Sequence, residues 1–95
     1  MISKYPIDLS GLSTEQRNLA LLRIGIMAEL DAINLYEQLA ASTEDEKLKK
    51  VFLDVAREEK EHVGEFETLL LAGDQEQVEM MKEGKKEVED IIKDK

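Results

Sequence analysis

Two long stretches of the chain carry apolar residues that advance by alternating steps of three and four. The first runs Leu19, Leu22, Ile26, Glu29, Ile33, Tyr36, Ala40, and the second Leu48, Phe52, Val55, Glu59, His62, Phe66, Leu69. This spacing puts each series on one face of an α-helix, as the seam that packs against other helices. Three members break the apolar rule: Glu29 in the first seam, and Glu59 with His62 in the second.

Capping signals set the predicted bounds. Ser13-Thr14-Glu15-Gln16 has the form of a capping box and predicts a helix from about Thr14 to about Ala41. Ser42-Thr43-Glu44-Asp45-Glu46 breaks the pattern, and Thr43 with Glu46 reads as a second capping box opening a helix from about Glu44 to about Ala72. Gly73 is the expected stop, at the position that favours a left-handed glycine. Asp74 then caps a third, shorter helix from about Gln75 to near the C-terminus. That helix has a partial apolar stripe of Val78, Met81, Val88, Ile91 and Ile92, with Gly84 as a point of bending or interruption. Residues 1–13 show no helical period and read as an extended N-terminal segment. Residues 14–95 read as one helical domain of the all-α class.

The short connection between the first two helices predicts an antiparallel hairpin. Pairing residues whose numbers sum to 88 sets Ala40 beside Leu48, Tyr36 by Phe52, Ile33 by Val55, Glu29 by Glu59, Ile26 by His62, Leu22 by Phe66 and Leu19 by Leu69. Seam then meets seam along the whole hairpin. Glu29, Glu59 and His62 fall at adjacent levels near its middle, between apolar layers.

Two carboxylates close together in a bundle core repel unless a cation, shared protons or water intervene. A divalent metal held by carboxylate oxygens and an imidazole nitrogen removes the repulsion, and this donor set suits iron, manganese or zinc. Glu59 and His62 lie three residues apart on one helix face, the spacing used by helical di-metal carboxylate proteins. Such a site takes four carboxylates and two imidazoles, whereas one hairpin offers two and one. A twofold axis doubles the set, so that two hairpins make a four-helix bundle around the metals.

Plainer readings stand beside this one. An isolated Glu-x-x-His is common on the solvated face of an acidic helix, and a lone seam carboxylate can be satisfied by Arg or Lys. Tyr36, two turns from Glu29, is either a core ring or a hydroxyl donor to that carboxylate. Glu58, Glu61, Glu65 and Glu67 read as a solvated face. Gly25 and Gly64 flank the ligand levels, as close-contact or ordinary packing residues. Met80 and Met81 read as core or interface.

Composition narrows the function classes. The chain has 95 residues, enough for one domain, and no cysteine for disulfides or thiolate chemistry. A formal net charge of -9 argues against nucleic acid as a partner and is compatible with attracting cations. No apolar run approaches membrane-spanning length and no signal-peptide pattern opens the chain, so a cytoplasmic setting without a membrane is the expectation.

Glu29-Leu30-Asp31-Ala32-Ile33-Asn34-Leu35-Tyr36 together with Arg57-Glu58-Glu59-Lys60-Glu61-His62 resembles the encapsulated ferritins. The resemblance covers roughly residues 15 to 92, and archaeal members fused to their shell protein are the nearest in kind. It implies that residues 14–95 form a ferritin-like domain that dimerises into a four-helix bundle. It further implies a ferroxidase that oxidises Fe(II) to Fe(III), with oxygen as the usual acceptor and two irons per dimer interface. Glu29, Glu59 and His62 match the family's metal ligands, and Glu59 the bridging one. Tyr36 matches a tyrosine beside the site, and Asp31 an acidic position on the route by which metal reaches it. Ala28 and Leu35 depart from the acidic residue and tryptophan that some members carry there. The implied assembly is an annular homodecamer inside an encapsulin nanocompartment, with the shell protein as partner and mineral stored in the shell. The end Ile91-Ile92-Lys93-Asp94-Lys95 lacks a docking-peptide pattern, so the expectation is a domain of a shell fusion. The rival readings are a rubrerythrin-like peroxide reductase and a non-enzymatic helical assembly domain.

Overall fold

The computed structural model describes residues 7–93. They form three helices, α1 (Thr14–Ala41), α2 (Glu46–Gly73) and α3 (Gln75–Lys93), and among the described residues there is no strand. α1 starts where its capping box predicts: Gln16 N–H donates to Ser13 Oγ at 3.1 Å, and Ser13 N–H donates to Gln16 Oε1 at 3.1 Å. Before it, Ser10 N–H and Oγ both donate to Asp8 Oδ1, and Gly11 takes φ 77°, a left-handed turn that suits glycine.

α2 begins two residues later than expected, and Asp45 replaces Thr43 as its cap. Asp45 Oδ1 accepts from Lys47 N at 2.9 Å and Leu48 N at 3.1 Å, while Thr43 Oγ1 accepts from Asp45 N at 3.1 Å. A carboxylate at a helix N-terminus satisfies two orphan donors and gains from the dipole, so it outcompetes the hydroxyl. The predicted glycine stop is also displaced. Gly73 stays helical, and Gly11 alone among the described residues has positive φ. The break falls on Asp74, at φ −139° and ψ 85°. α3 runs through Gly84 without interruption.

α1 and α2 pack along their lengths as an antiparallel hairpin. Near the turn, Tyr36 and Phe52 sit opposite each other with ring centroids 6.3 Å apart. Farther out, Phe66 lies over Gly25, about a turn from its level partner Leu22, and Leu19 lies against Gly73, about a turn from Leu69. Helical side chains lean toward the N-terminus of their own helix, so in an antiparallel pair each reaches about a turn past the residue at its own level. The offset has that direction at both contacts.

Within one chain the core is thin. Ala40, Ala56 and Leu70 are the buried apolar residues of the described chain. The Cα radius of gyration is 17.0 Å, whereas a compact chain of this length would have about 12 Å. Leu48 and Leu69, seam members that the simple pairing buries, remain 50% and 62% exposed. α3 leaves the hairpin, and its Met80, Met81, Val88, Ile91 and Ile92 are exposed. The molecule has the proportions of a half-bundle.

Candidate metal centre

Seam geometry brings the three predicted polar residues together midway along the hairpin. His62 Nδ1 lies 3.3 Å from Glu29 Oε2 across the helix pair and 3.5 Å from Glu59 Oε2 one turn back on α2. One ligand atom from each of the three lies within 4.8 Å of the others. The two carboxylate side chains are 17% and 19% exposed, but the imidazole is 41% exposed. The carboxylates are thus largely withdrawn from water, while the ring still borders an open face.

The spacing fits a cation of the expected kind. Two ligands at right angles around an ion, each about 2.1 Å from it, lie about 3 Å apart. The imidazole nitrogen is close to that separation from both carboxylates. Oxygen and nitrogen donors without sulfur suit iron, manganese or zinc. Three donors leave positions open on any ion they hold, so one chain has an incomplete cage.

Apolar rings bracket the cluster. One turn beyond His62 and one turn before Glu29, Phe66 covers Gly25, where a β-carbon would come within 3.3 Å of the ring. Two turns away on the other side stands the Tyr36–Phe52 pair. Tyr36 meets Phe52 through its ring, and within the described chain the Glu29 carboxylate faces His62 rather than the Tyr36 hydroxyl. Gly64, the other glycine flanking the ligand level, has open space where a β-carbon would stand. Asp31 is two residues from Glu29 and therefore on the opposite side of α1. It is half-buried and lines a shallow cleft with Asn34, Leu35 and Gln38. The fold does not bring it to the cluster within one chain.

The hairpin leaves large apolar residues in water on more than one side, Leu30 and Leu53 among them, and one group of them borders the metal-ligand cluster. Projected at about 100° per residue, Val51 and Leu69 fall on the same side of α2 as His62, and Leu21 and Leu39 fall on the matching side of α1. All four are large hydrophobics left in water by the single chain. The open side of the metal-ligand cluster is therefore framed by apolar surface. On the opposite flank, Lys60 Nζ approaches Glu37 Oε2 at 3.5 Å. Arg23 Nη2 donates to Asp74 Oδ2 at 3.0 Å, tying α1 to the joint between α2 and α3. That tie has no signature in the sequence, because its ends are 51 positions apart.

Comparison with known proteins agrees with this architecture. A family model described as EncFtn-like matches residues 4–83. A ferritin-like-encapsulin shell fusion protein of Pyrococcus furiosus is 56% identical over 78 residues, 82% of this chain and 23% of the relative. An encapsulin nanocompartment cargo protein of Myxococcus xanthus, EncC, is 42% identical over 62 residues, 65% of this chain and 48% of the relative. The chain thus spans under half the length of the curated relatives it matches. The crystal structure of the encapsulated ferritin domain from Pyrococcus furiosus superposes with a TM-score of 0.81 at 51% identity, covering 95% of this chain and 94% of that one.

Proposed function

The chain belongs to the EncFtn-like family, and from that premise we propose that it is a ferroxidase whose Fe(II) substrate is held between two copies of the chain. The observation that carries this reading is the half-complete cluster. Glu29, Glu59 and His62 converge within 4.8 Å, on a hairpin whose apolar surface beside His62 lacks a cover within the chain. A second copy applied to that side by a twofold axis covers the apolar frame and doubles the donor set. The pair then forms a four-helix bundle with four carboxylates and two imidazoles at its centre.

In this proposal Glu29 and His62 would hold one Fe(II), and Glu59 would be the carboxylate shared between the two ions. The carboxylates neutralise the dication charge and favour the higher charge of the ferric product, which lowers the cost of removing an electron. Each of two Fe(II) loses one electron to one O2, which takes up two protons and leaves as hydrogen peroxide while both irons become Fe(III). Phe66 and the Tyr36–Phe52 pair limit water on either side of the ligands along the hairpin. The net charge of -9 draws cations toward the assembly. Asp31, on the outer side of α1, is proposed as a staging carboxylate on the way in.

The names of two relatives support an encapsulin shell as the setting, one as a shell fusion and one as cargo. We infer the same setting here, with the ferric product delivered into the shell and the dimers closing into a larger ring. Among the described residues no helix is long and apolar enough to cross a membrane.

Fe(II) added to the protein under air tests the reading by the growth of ferric absorbance. His62→Ala and Glu59→Ala are expected to slow oxidation at least about 10- to 100-fold, the range that even outer partners of metal ligands command. Undiminished oxidation by His62→Ala removes the imidazole from the reaction. Faster turnover with hydrogen peroxide than with oxygen, and no mineral, would instead favour a peroxide reductase. Anomalous scattering from an iron-soaked crystal should place paired metals between two chains.

A further inference from the structure

Asp74 is the single non-helical residue between α2 and α3. Its carboxylate is divided between two tasks. Oδ1 accepts from Gln77 N at 3.0 Å and caps α3, while Oδ2 accepts from Arg23 of α1 at 3.0 Å. The Asp74 carbonyl accepts from Val78 N at 3.3 Å. The side chain is only 15% exposed, so this ion pair is less screened than a surface one.

Nothing in the backbone compels the break. No proline lies near it, and Gly73 is helical rather than left-handed. Turning Asp74 from φ −139°, ψ 85° to about −63°, −42° would join α2 and α3 into one helix from Glu46 to Lys93. That helix would be about 72 Å long, well beyond the 47 Å longest dimension of the chain as it stands.

Opposing contributions act at the joint, and most of them favour the bent form. Joining restores backbone hydrogen bonds that a helix break leaves open. Bending keeps the Asp74 cap and the Arg23 pair. It also sets Met81 against Ile26, Leu70 and Leu71 around an open groove of about 320 Å³. Glycine and aspartate are both poor helix-interior residues, which tilts the joint further toward the break.

We propose that Asp74 is a two-ended latch that holds α2 and α3 bent in preference to a single straight helix, and that Arg23 contributes to that preference. The latch decides where the stripe of Met81, Val88 and Ile92 is presented. In the bent form the Met81 end of the stripe lies beside the hairpin groove; in the straight form the stripe is carried beyond the hairpin end. This inference concerns the joint and does not depend on the metal chemistry.

Spin-label distances test it directly. The chain has no cysteine, so Asn34→Cys and Lys86→Cys give unique attachment points at exposed positions of α1 and α3. Labelled protein is diluted into excess unlabelled protein so that only distances within one chain are read. The otherwise unaltered chain is expected to show one narrow distance. Asp74→Ala should convert most of the distribution to a second distance, longer by on the order of 10 Å. Arg23→Gln changes a half-exposed side chain, leaves the cap in place, and should show the same second distance at a smaller fraction. The parent distance alone in both variants overturns the latch and assigns the bend to packing. A broad smear without a distinct second distance overturns the two-state claim. A second distance in Asp74→Ala but not in Arg23→Gln overturns the role of Arg23.

Discussion

In the hairpin, Phe66 of α2 rests on Gly25 of α1 and Tyr36 faces Phe52, so each helix supplies what the other must cover. In α3, Val88 and Ile92 continue the stripe begun by Met81, yet they stay 53% and 66% exposed. Both regions carry apolar residues at helical spacing. One is held by side-chain contacts along its length, whereas the other meets the hairpin near its root, at Asp74 and the groove beside Met81. Periodicity therefore says that a face will be buried, but not by what.

The difference can be broken most severely at the metal cluster, where the hairpin's packing meets its proposed chemistry. Glu59→Ala is expected to abolish most Fe(II) oxidation while far-UV circular dichroism stays helical; retained activity would detach function from the hairpin seam. Next in size is Phe66→Ala, which removes the ring over Gly25. It should lower unfolding stability by roughly 2 to 3 kcal/mol in denaturant titration, less than for a fully buried ring because Phe66 is half-buried.

Smaller effects sharpen the contrast. Glu29→Gln relieves carboxylate repulsion and should raise the unfolding free energy of metal-free protein slightly, by about 1 kcal/mol or less in denaturant titration, with the gain disappearing once Fe(II) is supplied. Val88→Ser with Ile92→Ser should leave unfolding of dilute protein within about 0.5 kcal/mol of the parent, since neither residue packs on the hairpin. The smallest effect belongs to Arg57→Ala. Arg57 Nη2 donates to Asp54 Oδ1 at 2.7 Å and holds that carboxyl below its ordinary range. With the folded-state value depressed, any stabilisation is present at neutral pH and lost as pH falls through the carboxylate range. Both groups are fully exposed, so thermal melts of parent and variant at pH 7 should coincide.

Much of the hairpin was legible because its signals are local or strictly periodic. Ser13 and Gln16 form the predicted box, Asp74 caps α3, and matching seams bring Glu29, Glu59 and His62 to one place. Reading failed where two local solutions compete. Thr43 and Asp45 both offer a cap, and the charged acceptor prevails. Gly73 permits a left-handed stop, but it serves instead as close contact for Leu19 while the break moves one residue on. Tyr36 was open between ring and donor, and within the chain its ring contact with Phe52 is what forms.

The order of residues by itself determined three helices, the pairing of the first two, and a carboxylate–imidazole trio at mid-hairpin, because each follows from spacing along a single helix or across a short turn. Tertiary structure alone decided the tie from Arg23 to Asp74, the side on which His62 opens, and the sharp departure of α3. These depend on residues far apart in the chain and on which way side chains lean, and neither distance through space nor lean is written in a one-dimensional pattern.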